Sequence, residues 1–139
     1  MPLRYLLDTN VISHAAGPNR NTGVIDGMRR HRQTIATASV VWCELLFGLQ
    51  RFPQGARRSV IEAYLRDFIA ETVPVLSYDA LAAEWHAAER VRLSQIGVVP
   101  PFNHGQIAAV AAVNGLVVVT ANVDDFGRFS GLRVEDWRT

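Results

Sequence analysis

The chain has 139 residues, 49% of them hydrophobic and 19% charged, which is enough apolar material to offset the ordering of one core and too little length for two. Disorder, fibrous repeats and a disulfide scaffold are excluded, since the only cysteine is Cys43, read here as a small buried hydrophobe. A formal charge of +1 gives no whole-molecule field to gather nucleic acid, although all fourteen basic residues are arginine, the side chain that forks onto phosphate.

Arg4 to Leu7 reads as a short buried strand stopping at Asp8-Thr9-Asn10, residues that cap helices and make turns. Val11 to Ala16 reads as helix until Gly17-Pro18. Thr22 to Arg32 is a second helix whose closing arginines suit the negative end of its dipole. Thr34 to Ala38 is the second strand. Ser39 then caps a helix to about Gln50, and Arg57 to Thr72 is an amphipathic helix. Pro74 to Ser77 is a third strand. Asp79 opens a long helix to about Ile96, and Asn103 with Gln106 has capping-box spacing for a helix starting near His104. Leu116 to Val119 is a buried strand ending at Thr120-Ala121-Asn122, and Leu132 to Val134 is an edge strand. The run from Ile107 to Val119 is broken by Asn114 and Gly115 and Asp8 interrupts Leu6-Leu7, so neither a bilayer span nor a secretory leader is expected. The expected location is the cytoplasm.

Strands alternating with helices predict an α/β architecture, with helices in two layers about a short, mainly parallel sheet, as one domain over 1–139. Ligands in such sheets bind beyond the carboxyl ends of the strands where strand order reverses, which selects Asp8 and the stretch from Asn122 to Asp125. Asp8 suits an N-cap and a functional carboxylate equally. Glu44 interrupts a nearly all-apolar helix, where an acid needs a partner or a task. Asp124 and Asp125, just beyond a buried strand, suit a cap or a solvated loop. Gathered at one edge, these acids would repel unless a hard divalent cation neutralised them, and oxygen ligands select magnesium or manganese. No glycine-rich phosphate loop is present. His14, His31 and His86 lie in helical segments and suit packing. Arg29, Arg30, Arg32, Arg90 and Arg92 are candidates for RNA backbone contact, and Trp42, Phe47, Leu49, Tyr64, Leu65 and Phe68 for a partner groove or for the core.

Four stretches in order, Leu7-Asp8-Thr9-Asn10-Val11-Ile12, Ser39 through Gly48, Pro101 through Ala109 and Val119 through Phe126, with the ending Leu132 through Trp137, resemble the successive motifs of PIN-domain ribonucleases of the VapC toxin type. The resemblance covers almost the whole chain. It implies a three-layer α/β/α PIN-like domain that uses Mg2+ or Mn2+ to hydrolyse RNA phosphodiesters, forms a homodimer and is blocked by a VapB-type antitoxin. Carried over, it implies Asp8 as first acid, Glu44 as second and Asp125, with Asp124 as substitute, as the later acid. Thr9, Asn10, Thr120 and Asn122 would line the site. His104 stands three residues before Ile107, where the family pattern has its third acid, so it joins the expected catalytic and metal set as an imidazole. That departure leaves two readings of different class, a metal-dependent endoribonuclease and a catalytically silent module that binds RNA or antitoxin.

Overall fold

The computed structural model describes residues 2–17 and 20–139. Tyr5–Leu7 form β1, apolar throughout because both faces are covered. Parallel partners flank it, β2 (Ile35–Ala38) on one side and β4 (Val117–Val119) on the other, with Leu6 opposite Ala36 and Val118. The two-residue strands β3 (Val75–Leu76) and β5 (Val134–Glu135) complete an all-parallel sheet in the order β3-β2-β1-β4-β5. The edge strand begins two residues later than expected, because Gly131 turns the chain at φ 68° and the Leu132 N–H bonds back to the Phe129 carbonyl.

Between β1 and β2 run α1 (Thr9–His14) and α2 (Thr22–Arg30). Between β2 and β3 come α3 (Ser39–Arg51), α4 (Ala56–Ala63), a π-helical segment (Tyr64–Ile69) and α5 (Ala70–Thr72). Then follow α6 (Ala80–Gln95) and α7 (Phe102–Val113) before β4, and α8 (Val123–Phe126) after it. Strand order runs one way through β3 and the other way through β5. Right-handed crossovers therefore put α1 to α5 on one face and α6 to α8 on the other. This is the expected three-layer α/β/α fold, and its reversal point is β1.

Several local expectations shift for physical reasons. The first helix starts at Thr9, ahead of Val11, because the Asp8 carboxylate accepts the Thr9 N–H at 2.8 Å; of its expected Gly17-Pro18 stop, Pro18 lies outside the described residues. Asp79 caps α6 as expected, accepting from the Ala82 N–H at 2.9 Å. Ser39 does not cap α3; its hydroxyl accepts the Tyr78 N–H at 3.2 Å and ties α3 to the loop after β3. Cys43 is exposed rather than buried, since the inward row of α3 is Val41, Leu45 and Leu49 and a residue two after Val41 points away.

The helix expected over 57–72 is interrupted. Within Tyr64–Ile69 the backbone widens to i→i−5 bonding, with the Ala70 N–H on the Leu65 carbonyl. There the Tyr64 hydroxyl donates to the Ile12 carbonyl at 2.9 Å, and burial pushes its phenol up to about 12.

Two helix faces approach so closely that only glycine fits. A Cβ on Gly105 of α7 would lie 2.2 Å from Nε2 of the buried His86 on α6. The imidazole is held by the Tyr78 hydroxyl at 2.9 Å and cannot simply swing aside. Gly105→Ala should therefore cost about 1–3 kcal/mol, read as a lowered urea midpoint at unchanged m. The cost should be smaller in a His86→Ala background, and equal costs in both backgrounds would mean that the imidazole is not the obstacle.

Candidate active site

The carboxyl end of β1 delivers Asp8 into the notch beside β4, where its side chain is buried. Oδ1 accepts the Thr9 N–H, while Oδ2 accepts the Thr120 hydroxyl at 2.8 Å and the Asn10 amide at 3.3 Å. Thr120, the residue directly after β4, also accepts the Asn122 N–H at 3.0 Å. Asn10 Oδ1 accepts the Ala121 N–H at 3.1 Å. Asp8 is thus both N-cap of α1 and the hub joining the ends of the two central strands.

Glu44 comes from α3, in the second turn after β2. One carboxylate oxygen accepts the Thr9 hydroxyl and the other accepts the Asn103 amide at 2.6 Å. Thr9 therefore bridges the acids, its N–H on Asp8 and its hydroxyl on Glu44. Asn103 thus contacts Glu44 instead of closing the capping box expected from its spacing to Gln106. In the structure α7 begins at Phe102 with Pro101 at the cap position, and no side chain caps it. Asn103 lies four residues before the fully buried Ile107, hence on the inward face of α7. A polar residue on an inward row needs a partner, and that was the available signal.

His104 follows on the same turn. Its Nδ1 has no hydrogen-bond partner and lies 3.6 Å from Oδ2 of Asp125, an ion-pair separation beyond hydrogen-bond length. Its ring packs on Phe126 at 5.0 Å between centroids. Asp125 is half-buried and turned toward this imidazole. Asp124, in the same first turn of α8, is exposed and lines a shallow hollow with Asn122. The contacts thus link Asp8, Thr9, Glu44, Asn10 and Thr120, bring Asp125 beside His104, and leave the side chains of Asp124 and Asn122 at the rim.

Burial holds the Asp8 carboxyl above its usual range. Hydrogen bonds from Thr120 and Thr9 and the nearby His104 oppose that rise, whereas Glu44 adds to it. Among the described residues, no three His, Cys, Asp or Glu side chains converge closely enough to hold an ion unaided. A hard cation on this edge would draw on Asp8 and Glu44 and complete its shell with water or phosphate oxygens, which is how magnesium is usually held. The donor chemistry fits on that side. His104 contributes a single nitrogen and no fixed negative charge.

An apolar groove of about 350 Å³ opens beside Glu44, running between α1 and α3 past Ile12, Leu45, Leu49, Tyr64 and Leu65. A second, of about 680 Å³, lies between α2 and the π-helical segment and reaches Phe68 and Arg29. Of the groove candidates read from sequence, Leu49, Tyr64, Leu65 and Phe68 line these clefts, whereas Trp42 and Phe47 do not. The arginine candidates for RNA contact prove scattered. Arg92 is occupied by Glu89 and the Arg128 carbonyl, Arg90 lies over the Phe102 ring, and Arg30 and Arg32 line a cleft before β1 and β2, at the other end of the sheet.

The family model of the PIN domain matches residues 5–132. The chain belongs to the PIN-domain family. Within it the chain is of the VapC type: it is 33% identical over 137 residues to the tRNA(fMet)-specific endonuclease VapC of Shigella flexneri, covering 97% of this chain and 98% of that one. To the protein of the same name from Salmonella typhimurium it is 30% identical over the same shares. Among solved structures, DNA-bound VapBC from Salmonella typhimurium superposes with a TM-score of 0.80 at 30% identity, covering 97% of this chain and 98% of that one. FitAcB from Neisseria gonorrhoeae reaches 0.88 at 25% identity, with coverages of 95% and 96%.

A raised Asp8 pKa means that the folded chain holds this proton more tightly than the unfolded chain does. The resulting stability is fully present below the unfolded carboxylate value and is lost as pH rises through the folded one. Asp8→Asn should therefore be more stable than the parent at pH 7, and its advantage should shrink as pH falls toward about 4, measured as paired urea midpoints. An Asp8→Asn variant less stable than the parent at neutral pH would show that the hydrogen bonds outweigh the desolvation of the charge.

Proposed function

We propose that this chain is a metal-dependent endoribonuclease toxin of the VapC type, acting on RNA in the cytoplasm and neutralised by a VapB-type antitoxin. The observation that carries the reading is the Asp8–Thr9–Glu44 bridge at the carboxyl end of β1, two carboxylates kept close at a cost in desolvation and repulsion that a cation would offset. Asp8 and Glu44 would hold the cation, with Asp125 and His104 as the further expected members of the set. A divalent ion, when bound, supplies acidification of water and neutralisation of charge on a scissile phosphate.

The protein's own groups do the rest. Thr120 and Asn10 fix the plane of the Asp8 carboxylate, Thr9 and Asn103 fix Glu44, and the acids are presented from the end of β1 and from within α3. Asn122 would line the site at the rim, and Asp124 remains the substitute for Asp125 as the later acid. His104 removes one negative charge and offers nitrogen where an acid offers two oxygens, so the preferred ion should move from Mg2+ toward Mn2+. The groove beside Glu44 is the surface on which an extended antitoxin segment could cover the acids, and the relatives solved as VapBC complexes support such a partner. We also take the working unit to be a homodimer.

The test is cleavage of total RNA with Mg2+, Mn2+ or EDTA, using the chain as it stands beside Asp8→Asn, Glu44→Gln and His104→Asp. We expect discrete products that EDTA abolishes, a loss of about 10²-fold or more for either carboxylate variant, and a gain in Mg2+ for His104→Asp. Cutting that survives EDTA or the Asp8→Asn change would remove this site from the reaction. Absence of cutting by the parent and His104→Asp alike, with RNA or an antitoxin still bound, would favour the silent binding module, whose basis here is the imidazole in the third acid's place.

A further inference from the structure

Although the arginines as a set are spread over the surface, four of them fall along one edge of the sheet. Arg4 immediately precedes β1, Arg30 and Arg32 precede β2, and Arg133 precedes β5, so all four stand at the amino edge of the sheet, opposite Asp8. All four are exposed. Arg4, Arg30, His31 and Arg32 line one cleft of about 310 Å³. Backbone bonds join the row: the Arg4 N–H donates to the Thr34 carbonyl at 2.8 Å, and the Val117 and Val118 N–H groups donate to the Arg4 and Arg133 carbonyls. Among the described residues, the ion pairs engage Arg92, Arg138 and His104, and none of these four. Asp26, one turn before Arg30, forms no ion pair with it. His31, which lines the cleft, is packed against Tyr5 and Trp137 with ring centroids within 5.2 Å, and the Arg4 guanidinium lies 5.4 Å over the Tyr5 ring.

A net charge of +1 thus conceals two poles, acids at the carboxyl edge and uncompensated guanidiniums at the amino edge. From β2 to β5 the row crosses three strand spacings, about 14 Å, which suits a run of phosphates better than one small anion. Arg4 and Asp8 flank β1, and at the usual rise their backbones are about 13 Å apart. We propose that this amino-edge arginine row binds the phosphate backbone of single-stranded RNA, anchoring a segment that flanks the one presented to the acidic edge. The assignment of RNA rests on the ribonuclease reading. The row supplies the attraction that the active edge, with Asp8, Glu44, Asp124 and Asp125, cannot.

The test is fluorescence anisotropy of a labelled RNA of about 20 nucleotides and mixed sequence in EDTA, where no cleavage is expected, against salt concentration. Arg4→Ala, Arg30→Ala and Arg32→Ala combined should lower the slope of log affinity against log salt by about 2, or roughly 100-fold in affinity per decade of salt. A control lacking Arg51, Arg57 and Arg66 removes equal charge elsewhere and should keep the parent slope; thermal melts confirm that both variants are folded. Equal slopes for parent and row variant, or the same loss in the control, would overturn the anchor while leaving the cleavage test untouched. Binding of poly-glutamate with the same slope change and no binding of RNA would overturn the RNA assignment in favour of an acidic protein. If the parent neither binds nor cuts RNA, the ribonuclease reading fails as well.

Discussion

The structure depends most on a carboxylate withdrawn from water at the end of its central strand. Asp8 accepts from the first N–H of α1, from the hydroxyl that follows β4 and from the amide of Asn10, so one side chain ends β1, begins α1 and fastens the neighbouring strand. Those donors hold it in place without fully offsetting its burial, and its proton affinity stays raised. Because the neighbouring Glu44 is reached through Thr9, any shift of Asp8 would be passed to the second acid. Position and charge are thus imposed together, and the site is built before any ligand arrives.

Much of this was legible in the residues. The unbroken apolar strands, the polar residues at their ends and the alternation of strand with helix were sufficient for a parallel sheet with its site at the reversal point. The errors share a cause. Ser39 and Asn103 are good caps by type, yet each gives its side chain to a partner distant in sequence, Tyr78 in one case and Glu44 in the other. Local preference cannot register a competitor some 40 to 60 residues away. The same holds for Cys43, whose apolar neighbours suggested burial until the rotation of α3 placed it outside. Within the site, the family resemblance puts Asp125 ahead of Asp124 as the later acid, and the turn of α8 sets Asp125 beside His104 and leaves Asp124 at the rim.

Charge also separates along the strands in a way that composition hides. Strands of two to four residues keep the two edges of the sheet close together, the separation that the proposed anchor would have to bridge around the covering helices. On that proposal the shortness of β1 is a functional dimension as much as an economy of fold.

The widened turn at Tyr64–Ile69 has a consequence for how this chain can change over time. An i→i−5 turn is an α-turn carrying one residue too many, so the segment is a stored insertion. Removing a single residue there would let an ordinary helix close up while turning Tyr64 off the Ile12 carbonyl, or Ile69 out of the core, since one regular register cannot serve both. Descendants that lose the residue would keep a helix and forfeit the wall shared by the two apolar grooves, so the grooves can change shape while the acidic edge stays as it is.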